Sequence, residues 1–398
     1  MTATKINDLN FTPPAAVTEL AAKVKEFVKE KIVPYETDPR WGAHGPTEEL
    51  RLEMNQLARE AGVFAPHVPK EYGGVGLGQV GRSYVFEAAG YSILGPTAIH
   101  CASPDEGNIH LLDVVARPDQ REHFLKPLAT GKYRSCFCMT EPGGAGSDPS
   151  LMKATARLDG NEWVINGRKW LITGAGGAGF AIVMAKTEGG EHHGKATMFL
   201  VDLPNPAIVH ERTLDTIDSS FTGGHAVLNF DNLRLPADAV LGEVGKGFRY
   251  AQVRLAPARL SHCMRWLGSA GRAQEIATEY ARERMAFGKR IGEHQGVSFM
   301  LADNMMDIHM ARLAIWHTAW LLDQGERASN ESSLSKVVCS EAIARVADRC
   351  LQILGGMGIT RDTVVERIFR DTRAFRIYDG PSEVHRAVLG ERIVQGKI

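Results

Sequence analysis

No run in this chain approaches the ~20 consecutive apolar residues that a membrane-spanning helix requires, so no membrane association is expected. Charge of one sign is also missing. Lys and Arg total 46 against 47 Asp and Glu, which leaves no field to draw in polyanions and excludes bulk nucleic-acid binding. Cysteine is scarce, with 6 in 398 residues, and positions 101, 136, 138, 263, 339 and 350 show no disulfide-framework or zinc spacing. Cys136 and Cys138 would share one strand face with no second Cys/His pair nearby, so core packing is expected and no metal site. The opening Met1-Thr-Ala-Thr-Lys-Ile-Asn-Asp8 lacks the basic and apolar regions of a leader, and a cytoplasmic location is expected.

What is present is an ordinary globular composition, 44% hydrophobic and 23% charged, in a chain long enough for two or three domains. Residues from about 14 to 130 read as helices. Val17, Leu20, Val24, Phe27 and Val28 recur at steps of three or four, a second pattern spans Thr47 to Ala61, and Glu71–Gly78 is too glycine-rich for either regular element. From about Ser135 the period falls to two: short β runs follow one another through Ala226–Phe230 to Leu233–Pro236. Beyond Gly245 the chain is helical again. One helix runs from about Tyr250 to Arg284 with a kink expected at Pro257. Leu301, Met305, Ile308, Ala311, Ile315, Ala319 and Leu322 mark another, and Val338, Ala342, Val346, Cys350 and Leu354 a third. The expected fold is α+β multidomain: an N-terminal all-α domain (1–134), a middle antiparallel β domain (135–242) and a C-terminal four-helix bundle (243–398).

Two nucleotide-like motifs fail on context. Gly174-Ala-Gly-Gly-Ala-Gly179 satisfies G-x-G-x-x-G, but a strand rather than a helix follows it. Gly189–Ala196 nearly matches a phosphate loop but lacks Ser/Thr after its lysine and also leads into a strand. Two other stretches carry chemistry. Phe137-Cys-Met-Thr-Glu-Pro-Gly-Gly-Ala-Gly-Ser-Asp148 joins a strand to a glycine-rich loop whose backbone can approach a flat ring or a phosphate. Arg376-Ile-Tyr-Asp-Gly-Pro-Ser-Glu-Val-His-Arg386 puts a carboxylate, Asp379, at a reversal before a helix. Taken alone, Asp379 reads as a turn or capping aspartate before it reads as a base.

With Lys169-Trp-Leu-Ile-Thr173, Arg284-Met-Ala-Phe-Gly288 and Gln352-Ile-Leu-Gly-Gly356, these stretches resemble the acyl-CoA dehydrogenase family over essentially the whole chain. Cys136–Pro142, Gly223-Gly-His225, Gly247-Phe248, Arg259, His262-Cys-Met-Arg265 and the aspartate before Gly-Pro resemble a subgroup fused in eukaryotes to kinase-like regions. Here the unit is expected to stand alone. The resemblance implies FAD bound between sheet and bundle, an acyl-CoA substrate, electron-transfer flavoprotein as acceptor, and a homo-oligomer, usually a tetramer built as a dimer of dimers. It implies cofactor contacts from Met139, Thr140 and Thr173, the last at the flavin N5. Arg284, Phe287, Gln295, Gln352, Gly355 and Gly356 would reach the cofactor from a partner subunit, and Ser382 and Glu383 would complete its site. Ser147, Arg259 and Gly380 would meet the substrate. Asp379 would be the catalytic base, its N–H helping to hold the thioester oxygen, with its pKa raised by burial. Some members carry a glutamate base where this chain has Ala258, so Asp379 stands alone.

Three departures matter. Asp379 is one methylene shorter than the usual glutamate. The family's Trp-Ile-Thr reads Trp170-Leu-Ile-Thr173, which for a regular strand turns Trp170 to the opposite sheet face. Ser103–Asn108, where the acyl tail is lined, is unusually polar and suggests oxygenated acyl chains. The same architecture also resembles acyl-CoA oxidases, nitroalkane oxidases with their aspartate base, and a non-catalytic nucleic-acid-binding relative, against which the near-zero net charge counts.

Overall fold

The computed structural model describes residues 10–144 and 146–398. The N-terminal segment read above for a leader and Ala145 of the glycine-rich loop lie outside the described residues. The first helix, α1 (Ala15–Phe27), buries Val24 and Phe27. The second, α2 (Glu48–Glu60), starts where the Thr47 hydroxyl accepts the Leu50 N–H at 3.2 Å, with Glu48 and Glu49 at the positive end of its dipole. Next come α3 (Gln79–Ala89) and α4 (Asp105–Val115). Among the described residues α3 has no side-chain cap of its own; the Asp323 carboxylate, distant in sequence, accepts from the N–H groups of Gln79 and Val80 at 2.7 and 2.9 Å.

The middle sheet holds β1 (Ser135–Cys138), β2 (Thr155–Asp159), β3 (Glu162–Thr173), β4 (Phe180–Glu188), β5 (Ala196–Asp202), β6 (Ile208–Leu214) and β7 (His225–Pro236). Its order among the described residues is β1-β4-β2-β3-β7-β6, with β5 on the other edge of β4. Most ladders are antiparallel as expected, but β1 and β2 lie parallel to β4 at successive points along one edge, so the sheet is mixed. Alternation assigns its faces. Phe180, Ile182 and Met184 pack with Leu112, Phe124 and Tyr250, while Ala181, Val183 and Ala185 pack with Ile165, Leu228 and Phe230.

The C-terminal part comprises α5 (Gly247–Glu283), α6 (Gln295–Asp323), α7 (Ser329–Leu354), α8 (Val365–Phe375) and α9 (Ser382–Val394). The kink expected at Pro257 does not break α5, which runs through it as one helix. The ring removes one backbone donor, and the buried Ala258, Leu260, Cys263 and Met264 hold the following turns against their neighbours. Helix α8 had no counterpart in the sequence reading; it buries Val365, Ile368, Thr372 and Phe375 on one side. The N-terminal helices and the bundle share a single apolar core running from Val24 through Phe86 and Leu267 to Phe375. That shared core fixes the turn after α8 against α5, which is where the site forms.

Candidate active site

Asp379 occupies the turn between α8 and α9 with φ +54°, a left-handed conformation that costs a non-glycine residue about 1 kcal/mol or more. Three side chains hold it there. Arg259 Nε of α5 donates to the Asp379 carbonyl at 2.9 Å, and His385 Nε2 of α9 stands 3.2 Å from the same oxygen. Gly380, with φ +95°, has no room for a side chain: a Cβ would stand 2.6 Å from His385 Nε2. The Asp379 N–H donates to no acceptor among the described residues. A carboxylate and a free N–H therefore sit together on one strained residue.

The carboxylate faces α5. His262 Nε2 lies 3.3 Å from Asp379 Oδ2 and 3.0 Å from Ser103 Oγ. Arg254 is buried nearby, its guanidinium over the Phe137 ring and its Nε donating to Asn108 Oδ1 at 2.7 Å. Burial alone would push the Asp379 carboxyl up, but the hydrogen bond to His262 and the charges of Arg254 and Arg259 outweigh it and hold it well below the usual carboxylate range. The expected rise is thus reversed in the free protein, because sequence counted the burial and not the three basic neighbours. Burial first, then the charge of Arg265, lowers His262 below its ordinary 6.5. His262 is therefore neutral at pH 7, and its hold on Asp379 is a polar contact rather than an ion pair. Sequence reading noted His262 only as a likeness. Arg254, Ala258, His262 and Arg265 recur at steps of four, four and three, and that stripe on a core-facing helix was the signal for His262 and Arg254.

Beside His262 opens a narrow cavity of about 30 Å³ lined by Ser103, Ser220, Phe221, Arg265, Trp266 and Ser269, among others. Asp105 and Glu106 do not serve it as the polar segment had suggested. Asp105 accepts from the N–H and hydroxyl of Ser135 at 2.8 and 2.7 Å, and Glu106 Oε1 accepts from Ser261 at 3.0 Å beside Arg82. Both are buried in α4 and satisfy the interior; only Ser103 of that segment brings a polar atom to the cavity.

The second half of the site lies on the sheet. β3 carries one residue more than β7 between the pairs Lys169↔Leu228 and Ile172↔Ala226, and Leu171 takes φ +53°. This bulge absorbs the extra residue of Trp-Leu-Ile-Thr. Lys169 and Ile172 share one face, so Trp170 falls on the face of Thr173 and not opposite it, correcting the regular-strand reading. The Trp170 indole N–H is buried and has no protein acceptor among the described residues. Lys169 is fully buried, its Nζ donating to the Met139 carbonyl at 3.0 Å and to Glu141 Oε1 at 2.7 Å. Trp170 N–H donates to the Thr140 carbonyl at 3.1 Å. These bonds fix Met139 and Thr140 against the Lys169–Trp170 stretch of β3.

Thr173 pairs across strands with His225. Thr173 Oγ1 is 3.0 Å from His225 Nδ1, and His225 Nε2 is 2.9 Å from Asp218 Oδ2. Phe221 packs edge-on against both His225 and Tyr378, at centroid distances of 5.5 and 6.3 Å, and so spans the gap between the Thr173 and Asp379 halves. His225 was noted from sequence only as a likeness and Asp218 not at all, since their approach depends on the register of β3 against β7.

The remaining candidates stand apart within one chain. Arg284 and Gln295 are exposed, and Phe287 is 96% exposed with φ +50° in a short hairpin between α5 and α6. Gln352, Gly355 and Gly356 are exposed at the end of α7, Glu383 is exposed on α9, and Ser147 is exposed in the glycine-rich loop. Ser382 is buried, and its hydroxyl donates to Glu341 at 2.7 Å, so here it braces α9 on α7.

Three family models cover the chain: the N-terminal (15–132), middle (136–233) and C-terminal (245–394) domains of acyl-CoA dehydrogenase. The chain belongs to the acyl-CoA dehydrogenase family. It is 34% identical to Probable acyl-CoA dehydrogenase FadE2 of Mycobacterium tuberculosis, over 95% of each chain. It is 34% identical to Acyl-CoA dehydrogenase family member 11 of Gallus gallus over 93% of this chain and 49% of the other, so it spans about half the length of that relative. Its fold matches butyryl-CoA dehydrogenase from Megasphaera elsdenii with TM-score 0.87 at 28% identity, covering 97% of this chain and 100% of that one. It also matches a glutaryl-CoA dehydrogenase from Mycobacterium smegmatis in complex with FADH2, with TM-score 0.86 at 25% identity, covering 96% and 95%. Family and fold are both those of the acyl-CoA dehydrogenases. Among the described residues no helix is long and apolar enough to cross a membrane.

Proposed function

We propose that the protein oxidises the Cα–Cβ bond of an acyl-CoA thioester to the trans-2-enoyl-CoA, with Asp379 as its sole base and FAD as its cofactor. One observation carries this reading: Asp379 offers both a carboxylate and an unspent N–H, fixed by Arg259, His385 and Gly380. An α-proton next to a thioester becomes removable only when the carbonyl oxygen is stabilised as charge develops, and that N–H is such a donor. Asp379 takes the proton and Ala258 offers no alternative. Arg259 Nε anchors the turn, which leaves the amino nitrogens of its guanidinium for the substrate. The closeness of α5 to the α8–α9 turn makes up for the missing methylene.

The site fits a flavin. Trp170 supplies a buried, unclaimed donor on the face of Thr173, and Lys169 holds the Met139–Thr140 strip in place. When bound, the flavin supplies a hydride acceptor opposite the base. Met139, Thr140 and Thr173 would hold its ring, while Arg284, Phe287, Gln295, Gln352, Gly355 and Gly356 would serve the cofactor of a second copy. An almost fully exposed Phe287, with Phe299, Met305 and Met310 exposed on α6, supports an oligomer that covers these side chains. Electron-transfer flavoprotein is the proposed acceptor. Anaerobic mixing with a panel of acyl-CoAs tests the reading: at least one chain bleaches the flavin absorbance, whereas reduction by nitroalkanes and by no acyl-CoA overturns it.

A further inference from the structure

The chemistry above uses Thr173 and leaves two buried titratable groups behind it unused. His225 and Asp218 are only 9% and 6% exposed, and the hydrogen bonds Thr173–His225–Asp218 form one unbroken chain. The fold constructs this chain with care. His225 is the first residue of β7 and the cross-strand partner of Thr173. Gly223 and Gly224 before it both have positive φ, at +83° and +58°, and a Cβ at Gly223 would stand 2.4 Å from the Gly176 carbonyl oxygen. Only glycine lets the loop close far enough to bring the imidazole onto Thr173. Asp218 is pressed upward by burial, yet its bond to His225 holds it below the usual carboxylate range, so it stands ionised. An ionised Asp218 accepts from His225 Nε2, which leaves Nδ1 to face the Thr173 hydroxyl.

A carboxylate that orients an imidazole toward a hydroxyl is a device for moving a proton off that hydroxyl. The Asp379 carboxylate is no part of this chain: it meets His262 of α5 at 3.3 Å instead. We propose that Thr173, His225 and Asp218 form the exit path for the proton that the reduced flavin must lose when it is reoxidised. The bound flavin would give up its two electrons one at a time to two equivalents of an external one-electron carrier of the flavoprotein class, and the N–H bond at its hydride-accepting nitrogen would break with them. Thr173 Oγ1 gains that proton and yields its own to His225 Nδ1, forming an N–H bond. The imidazolium is paired with Asp218 and passes its proton to solvent through the 11% of its side-chain surface that remains open. This rests on the proposed placement of Thr173 at the flavin edge, and its test needs no acyl-CoA, so the two readings fail separately.

The holoenzyme is reduced with dithionite and reoxidised by a soluble one-electron oxidant in a stopped-flow instrument, in H₂O and in D₂O. Wild type is expected to show a solvent isotope effect of about twofold or more. His225→Gln and Asp218→Asn reoxidise about tenfold or more slowly with flavin content unchanged, and imidazole added to His225→Ala restores part of the rate. Thr173→Val, which keeps shape and loses the hydroxyl, gives the same slowing should the histidine variants fold poorly. A second readout is static: the reduced-minus-oxidised infrared difference spectrum of ¹⁵N-His-labelled holoenzyme contains imidazole bands that vanish in His225→Gln. Reoxidation of the variants within twofold of wild type, or a difference spectrum without labelled histidine bands, overturns the proposal.

Discussion

The two halves of the site are each built on a carboxylate and a histidine, and they use the pair in opposite senses. At the bundle, the Asp379 carboxylate sits on its turn with His262 behind it at 3.3 Å, sharing its Nε2 with Ser103. At the sheet, His225 faces the working hydroxyl of Thr173, and Asp218 stands behind it at 2.9 Å. On the proposed reading the first pair, at 3.3 Å, works through its carboxylate, and the second, at 2.9 Å, works through its imidazole while Asp218 orients it. The same two side-chain types would then serve proton capture from substrate in one half and proton disposal in the other, according to which member is aimed inward.

The largest break in this comparison comes from removing each carboxylate in turn. Asp379→Asn should retain FAD and bind acyl-CoA but lose flavin reduction by on the order of 10²-fold or more. Asp218→Asn should leave reduction by acyl-CoA within about threefold of wild type. A smaller effect belongs to the histidine behind the base. His262→Asn removes a contact that favours ionised Asp379 and fixes its carboxylate, so the rate of flavin reduction by acyl-CoA should fall by about tenfold with flavin content unchanged. Reduction within twofold of wild type would show that His262 does not act on Asp379.

Behind the sheet pair lies Asp371 of α8. Burial pushes it up to about 8, against the pull of the Ser219 N–H, with nearby Asp218 adding to the rise. In the unfolded chain it titrates near 4. Between these values the folded state holds the extra proton, so stability falls as pH rises from about 4 toward 8. Asp371→Asn abolishes that slope. Its Tm, relative to wild type, should be higher at pH 8 than at pH 5, and an equal difference at both pH values would contradict the buried, protonated state. The smallest effect concerns the acyl tail. Ser103, His262, Arg265 and Ser269 give the cavity polar atoms, so an oxygenated acyl-CoA should be accepted with kcat/KM within about tenfold of the plain chain of equal length. A stronger preference for the plain chain would show that these groups do not meet the acyl chain.

Much of this was legible before the structure because it rests on local pattern. The periods of the helices and strands, and the Gly380–Pro381 turn after Asp379, are properties of adjacent residues. What was not legible depends on distance in the chain. Thr173 meets His225 only through the register of β3 on β7, and one bulge at Leu171 decides which face Trp170 takes. The pKa of Asp379 turns on Arg254, Arg259 and His262, more than a hundred residues away in sequence. Asp105 and Glu106 looked like cavity polarity because a run of letters does not reveal that Ser135 and Ser261 already bind them. Helix α8 was missed because its buried residues gain meaning only when α5 and α7 are there to receive them.

The separation of the two halves is tested most directly in a single variant measured in both directions. Asp379→Asn holoenzyme would be mixed anaerobically with an acyl-CoA that bleaches wild type, then reduced with dithionite and reoxidised by a one-electron oxidant. Bleaching by acyl-CoA should fall by on the order of 10²-fold or more, while reoxidation stays within about twofold of wild type. Near-normal bleaching would return Asp379 to the role of a turn residue, and an equal loss in both directions would show that the two halves are one.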